Sequence, residues 1–281
     1  MQKELDLVVL AHTQSPLHLA YLTYLHRNGY TPKKILALTI VPSTGKTQLL
    51  KRFVGEHFTA VARRVVQTLV SFPRRRQIRS LMNRVQAGHE PIDFQRLPRL
   101  SAFASEVEQV FADSLEDPRL LNAVRAQEPK ALLFTGGGIV GPSLLEKSGK
   151  TIFHVHPGLV PEVKGSDGFL WSSLVRGAPG YSCFYMNAGI DTGDIILTKE
   201  FDPVRLPDCD QETPDQLYDA ILRFLDPHLR AQTFVDVVKM SEEQDQPLDQ
   251  LPSRRQDPNE GRTYFFMQSK LKRIVVESLI R

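Results

Sequence analysis

The chain has few of the residues from which disulfide-stabilised or metal-cluster proteins are built. Its 281 residues include only two cysteines, Cys183 and Cys209, and their separation is not the spacing of a metal-binding motif. So few cysteines in a chain of this length are typical of a reducing compartment. We therefore expect neither a disulfide framework nor a cysteine-based metal site.

Long apolar runs are also missing from the sequence. No stretch approaches the roughly 18 apolar residues that a membrane span needs, and residues 1–6 lack a signal-peptide pattern. Hydrophobic residues still make up 41% of the chain, which is enough for a sizeable core. These features predict a cytoplasmic globular protein that does not contact a membrane.

The net charge of +3 hides a local concentration of basic residues. Such a concentration attracts anionic ligands or partners, although a solvated helix face gives the same pattern. Few aromatic residues accompany these charges, so we do not expect nucleic-acid binding. Between residues 46 and 84, Glu56 is the one acidic residue, and the basic residues are Lys46, Lys51, Arg52, Arg63, Arg64, Arg74, Arg75, Arg76, Arg79 and Arg84.

Alternating strand and helix patterns open the chain. Leu5 to Ala11 is a mostly apolar run, typical of a strand that is buried on both faces of a parallel sheet. Ser15 and Pro16 then mark the start of a helix, and Gly29 marks its end. Ile35 to Val41 is predicted to be the next strand, which completes the crossover unit of a doubly wound sheet. The pattern therefore predicts an α/β fold.

A helical, basic insertion is predicted from about residue 45 to 130. The stretch has no convincing strand, and prolines at 73, 91 and 98 are expected to break its helices. The strand–helix alternation resumes at Ala131 and ends in a predicted strand pair, Tyr181 to Asn187 and Asp194 to Phe201. A capping box at Thr213 then opens a further helix.

Two histidines stand at the end of a predicted strand. His154 and His156 point to the same face, because residues two apart share a face, and Pro157 with Gly158 marks the exit from the strand. Open α/β sheets bind their ligands at the carboxyl ends of parallel strands. The pair predicts a ligand site. Together with Asp191, the histidines have the chemistry to ligate zinc or iron, and they can also be satisfied core groups.

The run His156-Pro157-Gly158-Leu159-Val160-Pro161 and the later run Ile190-Asp191-Thr192-Gly193-Asp194 together resemble the folate-dependent formyltransferase family. The resemblance covers roughly residues 130–202. It implies a Rossmann-like, mostly parallel sheet of the formyltransferase type. It also implies a biosynthetic N-formyltransferase that takes its formyl group from 10-formyltetrahydrofolate without a metal ion.

The resemblance implies catalytic roles for His156 and Asp191, with the carboxylate accepting a proton and the imidazole assisting at the oxygen and the leaving nitrogen. His154 occupies the position of the family's asparagine, whose amide donates a hydrogen bond to the developing oxyanion. A ring N–H donates as well. We therefore expect His154 to be the third catalytic residue.

We expect two loops to bind the pterin ring of the folate. We expect residues near these loops to contact the acceptor. The resemblance implies folate contacts from backbone-rich segments, namely Gly136, Gly137, Gly138, Ile139 and Val140 on one side and Asn187, Ala188, Gly189 and Ile190 on the other. Expected acceptor contacts are His12, Gln14, Ser166 and Asp167, with Trp171 as a further wall or a core residue.

The sequence divides into an α/β catalytic domain, residues 1–205, and a helical C-terminal region with a small closing element, residues 206–281. That region is too helical to resemble the barrel that tRNA formyltransferases append, so we expect another acceptor. A small amine, or an anionic amine linked to a nucleotide or a carrier, fits best. A 10-formyltetrahydrofolate hydrolase and a folate-binding homologue altered by His154 are the alternatives.

Overall fold

A computed structural model describes residues 2–86, 89, 92, 99–209, 211–257 and 259–280, without the side chains of residues 46, 64 and 67–78. Seven strands form one sheet in the order β3-β2-β1-β4-β5-β7-β8. The pairs from β3 to β5 are parallel, and the last two pairs are antiparallel. The strands are β1 Lys3–His12, β2 Tyr30–Ile40, β3 Glu106–Ala112, β4 Ala131–Phe134, β5 Thr151–His156, β7 Gly180–Tyr185 and β8 Asp194–Glu200.

Helices cover both faces of this sheet, which confirms the predicted α/β class. Residues of β1 alternate between the two faces: Leu7 and Val9 join one core cluster, and Val8 and Leu10 join another. This explains why the strand is apolar without interruption. The helices are α1 Leu17–Arg27, α2 Gly45–Arg79, α3 Met82–Val85, α4 Pro118–Arg125, α5 Pro142–Lys147, α6 Gly168–Arg176, α7 Pro214–Ala220, α8 Asp226–Glu243 and α9 Ser269–Ser278.

The expectation that residues 45–130 contain no strand was wrong, because β3 lies within them. β3 pairs with β2 alone and forms an edge of the sheet. An edge strand meets solvent along one side and therefore tolerates a polar sequence. Glu106 and Glu108 form ion pairs with Lys34 on β2. These acidic residues obscured the strand pattern.

The expected break at Pro73 was also wrong. Helix α2 continues past this residue, where it loses one backbone donor without ending. The break lies instead at Gly55, whose φ of 79° is incompatible with a helix. Pro91 and Pro98 lie outside the described residues.

The C-terminal region packs onto the sheet. Helix α8 contacts α1, β5 and β7, and the capping box at Thr213 is present at the start of α7. A short π-helical turn at Ile221–Leu225 joins α7 to α8. Leu206, Leu217 and Val276 belong to the same core cluster as Leu7 of β1. The boundary at residue 205 thus crosses one continuous core, and the domain division stays a prediction.

The chain ends by returning towards the loop after β5. Strand β9, Arg262–Tyr264, pairs in parallel with β6, Val163–Gly165, in a two-stranded sheet. Both strands lie outside the main sheet. Within the described residues, no helix is both long enough and apolar enough to cross a bilayer.

Candidate active site

The structure brings His154, His156 and Asp191 together at the carboxyl end of β5. His156 is the last residue of that strand, and its Nδ1 lies 3.3 Å from Oδ2 of Asp191. One polar atom from each of the three side chains lies within 4.8 Å of the others. The convergence requires the turn between β7 and β8, because Asp191 is far from the histidines in sequence.

A network of hydrogen bonds fixes Asp191. The side chain of Asn187 closes the turn: its Nδ2 donates to the Thr192 carbonyl (3.0 Å), and its Oδ1 accepts from the Gly189 N–H (3.0 Å). Asp191 takes a positive φ of 51° in this turn. The Gly165 N–H donates to Oδ2 of Asp191 (2.8 Å), which aims the carboxylate at His156.

Burial sets the protonation states of the site. It lowers the pKa of His156 to about 3, with the nearby Arg230 guanidinium as a further cause, so this imidazole is neutral at pH 7. Burial also lowers the pKa of His154 and raises the pKa of Asp191. The Asp191 carboxylate is therefore a stronger base than an exposed aspartate.

The two histidine rings differ in their surroundings. His154 lies between the rings of Phe134 and Phe184, at centroid distances of 6.0 and 5.8 Å. Its Nδ1 is buried and has no hydrogen-bond partner among the described residues. On the outer side of His156, Nε2 lies against Gly158, next to the Val163 carbonyl. The Nε2 side of the His156 ring thus packs against the backbone, and its Nδ1 faces Asp191.

A buried ion pair underlies the histidine strand, and its contact with this strand could not be predicted from the sequence. Arg230 on α8 donates from Nε to Asp226 (2.8 Å), and its Nη1 donates to the Val155 carbonyl, between the two histidines. Tyr181 on β7 donates to the other oxygen of Asp226 (2.9 Å). A helical spacing of four residues reveals the Arg–Asp pair but not its target in β5.

We expect Arg230→Gln to lower the free energy of unfolding by about 3–5 kcal/mol, because it leaves the Asp226 carboxylate buried and unpaired. Denaturant unfolding of Arg230→Gln, of Asp226→Asn and of the double variant measures the effect. The double variant should lose less than the sum of the single losses, since it leaves no unpaired charge. Additive losses would show that the two side chains do not interact.

The two loops that are expected to hold folate flank the triad. Gly136 lies beside Phe134 and His12: a Cβ at this position would come within 2.9 Å of the Phe134 ring. Val140 is buried, but Ile139 is 79% exposed and Ile190, on the opposite loop, is 54% exposed. Each of the two loops thus presents one apolar side chain to solvent.

The four expected acceptor contacts lie in different settings. Gln14 donates to the Ile40 carbonyl at the end of β2 (3.1 Å), and His12 ends β1 with Nδ1 buried and unpaired among the described residues. The Ser166 N–H donates to the Tyr264 carbonyl (2.9 Å). Asp167 accepts from the Tyr218 hydroxyl and from the Met267 N–H. Asp167 thus connects α6, α7 and the C-terminal segment.

The C-terminal segment from Gln256 to Met267 borders the site, and sequence reasoning missed this role. Gln256 donates to the carbonyls of Asp191 (3.0 Å) and Gly193 (2.6 Å), which fixes the turn that carries Asp191. Trp171 stacks on Tyr264 at 4.5 Å between centroids and donates to the Phe265 carbonyl (3.0 Å). A polar segment without periodicity gives no sequence pattern from which such contacts can be predicted.

The family model described as formyl transferase matches residues 80–226, just over half of the chain. The chain belongs to the formyl transferase family. The match contains β5 and the turn with Asp191, so His154, His156 and Asp191 lie within the formyl transferase region.

Curated relatives match parts of this formyl transferase. The chain is 36% identical over 117 residues to cytosolic 10-formyltetrahydrofolate dehydrogenase of Mus musculus, which covers 41% of this chain and 11% of that protein. It is 27% identical over 105 residues to methionyl-tRNA formyltransferase of Syntrophus aciditrophicus, which covers 36% of this chain and 33% of that protein. The chain thus spans at most a third of these relatives.

Among solved structures, the chain is similar to a sugar N-formyltransferase from a Shewanella species. The identity is 12%, the TM-score is 0.47, and the alignment covers 96% of this chain and 86% of the other. It is also similar to a formyltransferase from Anoxybacillus kamchatkensis, at 20% identity and a TM-score of 0.41, over 64% of this chain and 89% of the other. Similarities of this size do not assign an acceptor.

Proposed function

We propose that the protein is an N-formyltransferase that moves the formyl group of 10-formyltetrahydrofolate to an amine. The observation that carries the proposal is the pair of His156 Nδ1 and Asp191 Oδ2, 3.3 Å apart and almost fully buried at the end of β5. Family membership supports the reaction class. The two apolar loop residues, Ile139 and Ile190, support a pterin ring as the donor's anchor.

The charges of the pair fit the proton transfers of this reaction. With His156 neutral and Asp191 ionised, the pair carries one negative charge and can hold one proton. The amine nitrogen attacks the formyl carbon and forms the new C–N bond, and its proton passes to Asp191. Asp191 passes this proton across the 3.3 Å contact to Nδ1 of His156. The resulting imidazolium delivers it to N10 of the folate as the bond between N10 and the formyl carbon breaks, and His156 returns to its neutral form. Protons balance, and tetrahydrofolate leaves.

The tetrahedral intermediate also needs a donor for its negative oxygen, and we assign this role to His154. The neutral imidazole has one N–H to donate, and burial makes such a hydrogen bond more effective than it is in water. The phenyl rings of Phe134 and Phe184 pack near the ring of His154, at centroid distances of 6.0 and 5.8 Å. A donor that is held in place needs little reorganisation during the reaction.

The acceptor that we propose is a small amine or an anionic amine, linked to a nucleotide or a carrier. The net positive charge of residues 46–84 supports an anionic group on the acceptor. Helix α2 carries most of this charge. The N-terminal part of this helix is attached to the end of β3 through Lys51, whose Nζ donates to Asp113 (2.6 Å).

A 10-formyltetrahydrofolate hydrolase is the second candidate. The similarity to 10-formyltetrahydrofolate dehydrogenase favours it, because this relative takes the same donor by its name. In this reaction water replaces the amine and formate is released. Formate production without any amine, at a rate that no added amine exceeds, would establish the hydrolase.

The test is a mass-spectrometric screen of amines with 10-formyltetrahydrofolate and the purified chain. We expect at least one candidate amine, from sets of amino sugars linked to nucleotides, amino acids and carrier-bound amines, to gain the mass of one CO. The Asp191→Asn variant, incubated in parallel, controls for uncatalysed formylation. Equal product with both proteins, or no product from any amine, would reject the transferase.

Neutralising Arg74, Arg75 and Arg76 together as glutamines should raise the KM for an anionic acceptor, because the basic surface attracts it through a screened field. The increase should shrink as salt rises, and the Kd for tetrahydrofolate should stay within about twofold. The side chains of these arginines lie outside the described residues. A matched triple variant at exposed arginines elsewhere, Arg125, Arg205 and Arg255, controls for net charge. Equal losses in both triples would exclude a local role.

A further inference from the structure

The same three side chains that are proposed to move protons also have the composition of a divalent metal site. Two imidazoles and one carboxylate are a donor set that suits Zn²⁺ and Fe²⁺. The position of His154 decides this composition, since the family's asparagine there would supply an amide, which is a poor ligand for these ions.

The spacing of the donor atoms agrees with one shared ion. Zinc bonds to imidazole nitrogen and carboxylate oxygen at about 2.0–2.2 Å, which places two ligand atoms about 3.3–3.5 Å apart at the tetrahedral angle. The distance from His156 Nδ1 to Asp191 Oδ2 is 3.3 Å. One atom of His154 lies within 4.8 Å of both partners.

The surroundings are those of a prepared ligand set. His154 Nδ1 is buried without a hydrogen-bond partner among the described residues, so part of the binding capacity of this ring is unused. His156 has the Val163 carbonyl behind its Nε2, and Asp191 accepts the Gly165 N–H. Partners of this kind orient ligands in metal sites.

Arg230 carries a fixed positive charge near the site. It lies below the histidine strand, where it repels a cation, and its pairing with the Asp226 carboxylate at 2.8 Å reduces this repulsion. Asp191 is the carboxylate that lies with the two histidines.

We propose that His154, His156 and Asp191 bind one divalent transition-metal ion when no formyl donor occupies the site. The ion takes the same lone pairs that formyl transfer uses, so metal binding and formyl transfer exclude each other. This departs from the metal-free site that we expected from the sequence. The metal site rests on geometry and does not depend on the proposed transferase activity.

Titration of the metal-free full chain with ZnCl₂ in a calorimeter tests the proposal, with CoCl₂ as a spectroscopic probe of the ligands. We expect one ion per chain and visible Co²⁺ absorption typical of a site with nitrogen ligands and low coordination number. His154→Asn should weaken Zn²⁺ binding at least about 100-fold, because even residues behind a ligand account for about 10–100-fold in affinity. His26→Asn, the same change at an exposed histidine, should bind as the wild type does.

Formyl transfer serves as a separate readout. Zn²⁺ at saturating concentration should abolish transfer by the wild type, and a chelator should restore it. Equal Zn²⁺ affinity in the wild type and in His154→Asn, or no bound ion, would overturn the metal site whatever the transferase assay shows. A bound ion without formylation of any amine would overturn only the transferase.

Discussion

Replacing His156 by alanine or Asp191 by asparagine is expected to lower the turnover of formyl transfer by at least about 100-fold each. Both groups handle the proton that leaves the amine, and general acid–base catalysis contributes about 10²–10⁴ to a rate. The measurement is steady-state formylation of the amine that the screen identifies, with kcat and KM determined separately.

The loss should appear in kcat and leave donor binding nearly unchanged. Neither side chain is needed for the contacts that the two loops make, so the Kd for tetrahydrofolate should stay within a few-fold. The double variant should be little worse than either single variant, because the pair acts as a unit. His26→Ala, at an exposed histidine, controls for the substitution itself. Rates like that of the wild type in both variants would reject this site as the catalytic centre.

The second large effect is expected at His154, where asparagine and alanine should behave differently. His154→Asn keeps a donor for the oxyanion and should stay within about tenfold of the wild-type rate. His154→Ala removes the donor and should lose about 2.7–4 kcal/mol of transition-state stabilisation, as at other oxyanion sites, which is about 10²–10³ in kcat.

Folding must be separated from catalysis at this position, because His154 packs between two phenyl rings. Unfolding curves of both variants measure how much stability is lost when the side chain is made smaller. His154→Leu serves as the matched control, because leucine fills the space but has no hydrogen-bond donor. We expect leucine to be as inactive as alanine while it is more stable. If leucine, alanine and asparagine variants all retain wild-type rates, His154 is a packing residue.

The local sequence carried a large part of the fold. The apolar run of β1, the capping box of α7 and the strand pair around residues 189–193 were all predicted, and the structure confirms them. Each of these features depends on residues that are close together in the sequence: an apolar run, a helix cap or a turn. The edge strand β3 was missed because it is half exposed, and exposure lets acidic residues replace the apolar pattern.

The residues of the candidate site follow the same division. Local spacing placed His154 and His156 on one face at the end of a strand, and the structure confirms this placement. Their roles remain predictions. Local sequence could not reveal Arg230, because its contact with the Val155 carbonyl depends on how α8 packs under β5.

Two short motifs were enough to identify the reaction family from the sequence. Each motif consists of neighbouring residues, and the order of the two along the chain matches that of the family. The surroundings of those residues depend on the tertiary structure. It brings Asp191 to 3.3 Å from His156 and places the Arg230–Asp226 ion pair beneath them. It also brings Gln256, from the C-terminal segment, to the carbonyl of Asp191. The reason is physical. Side-chain identity fixes which atoms can donate, accept or ligate, whereas protonation and geometry depend on burial and on contacts between segments far apart in the chain.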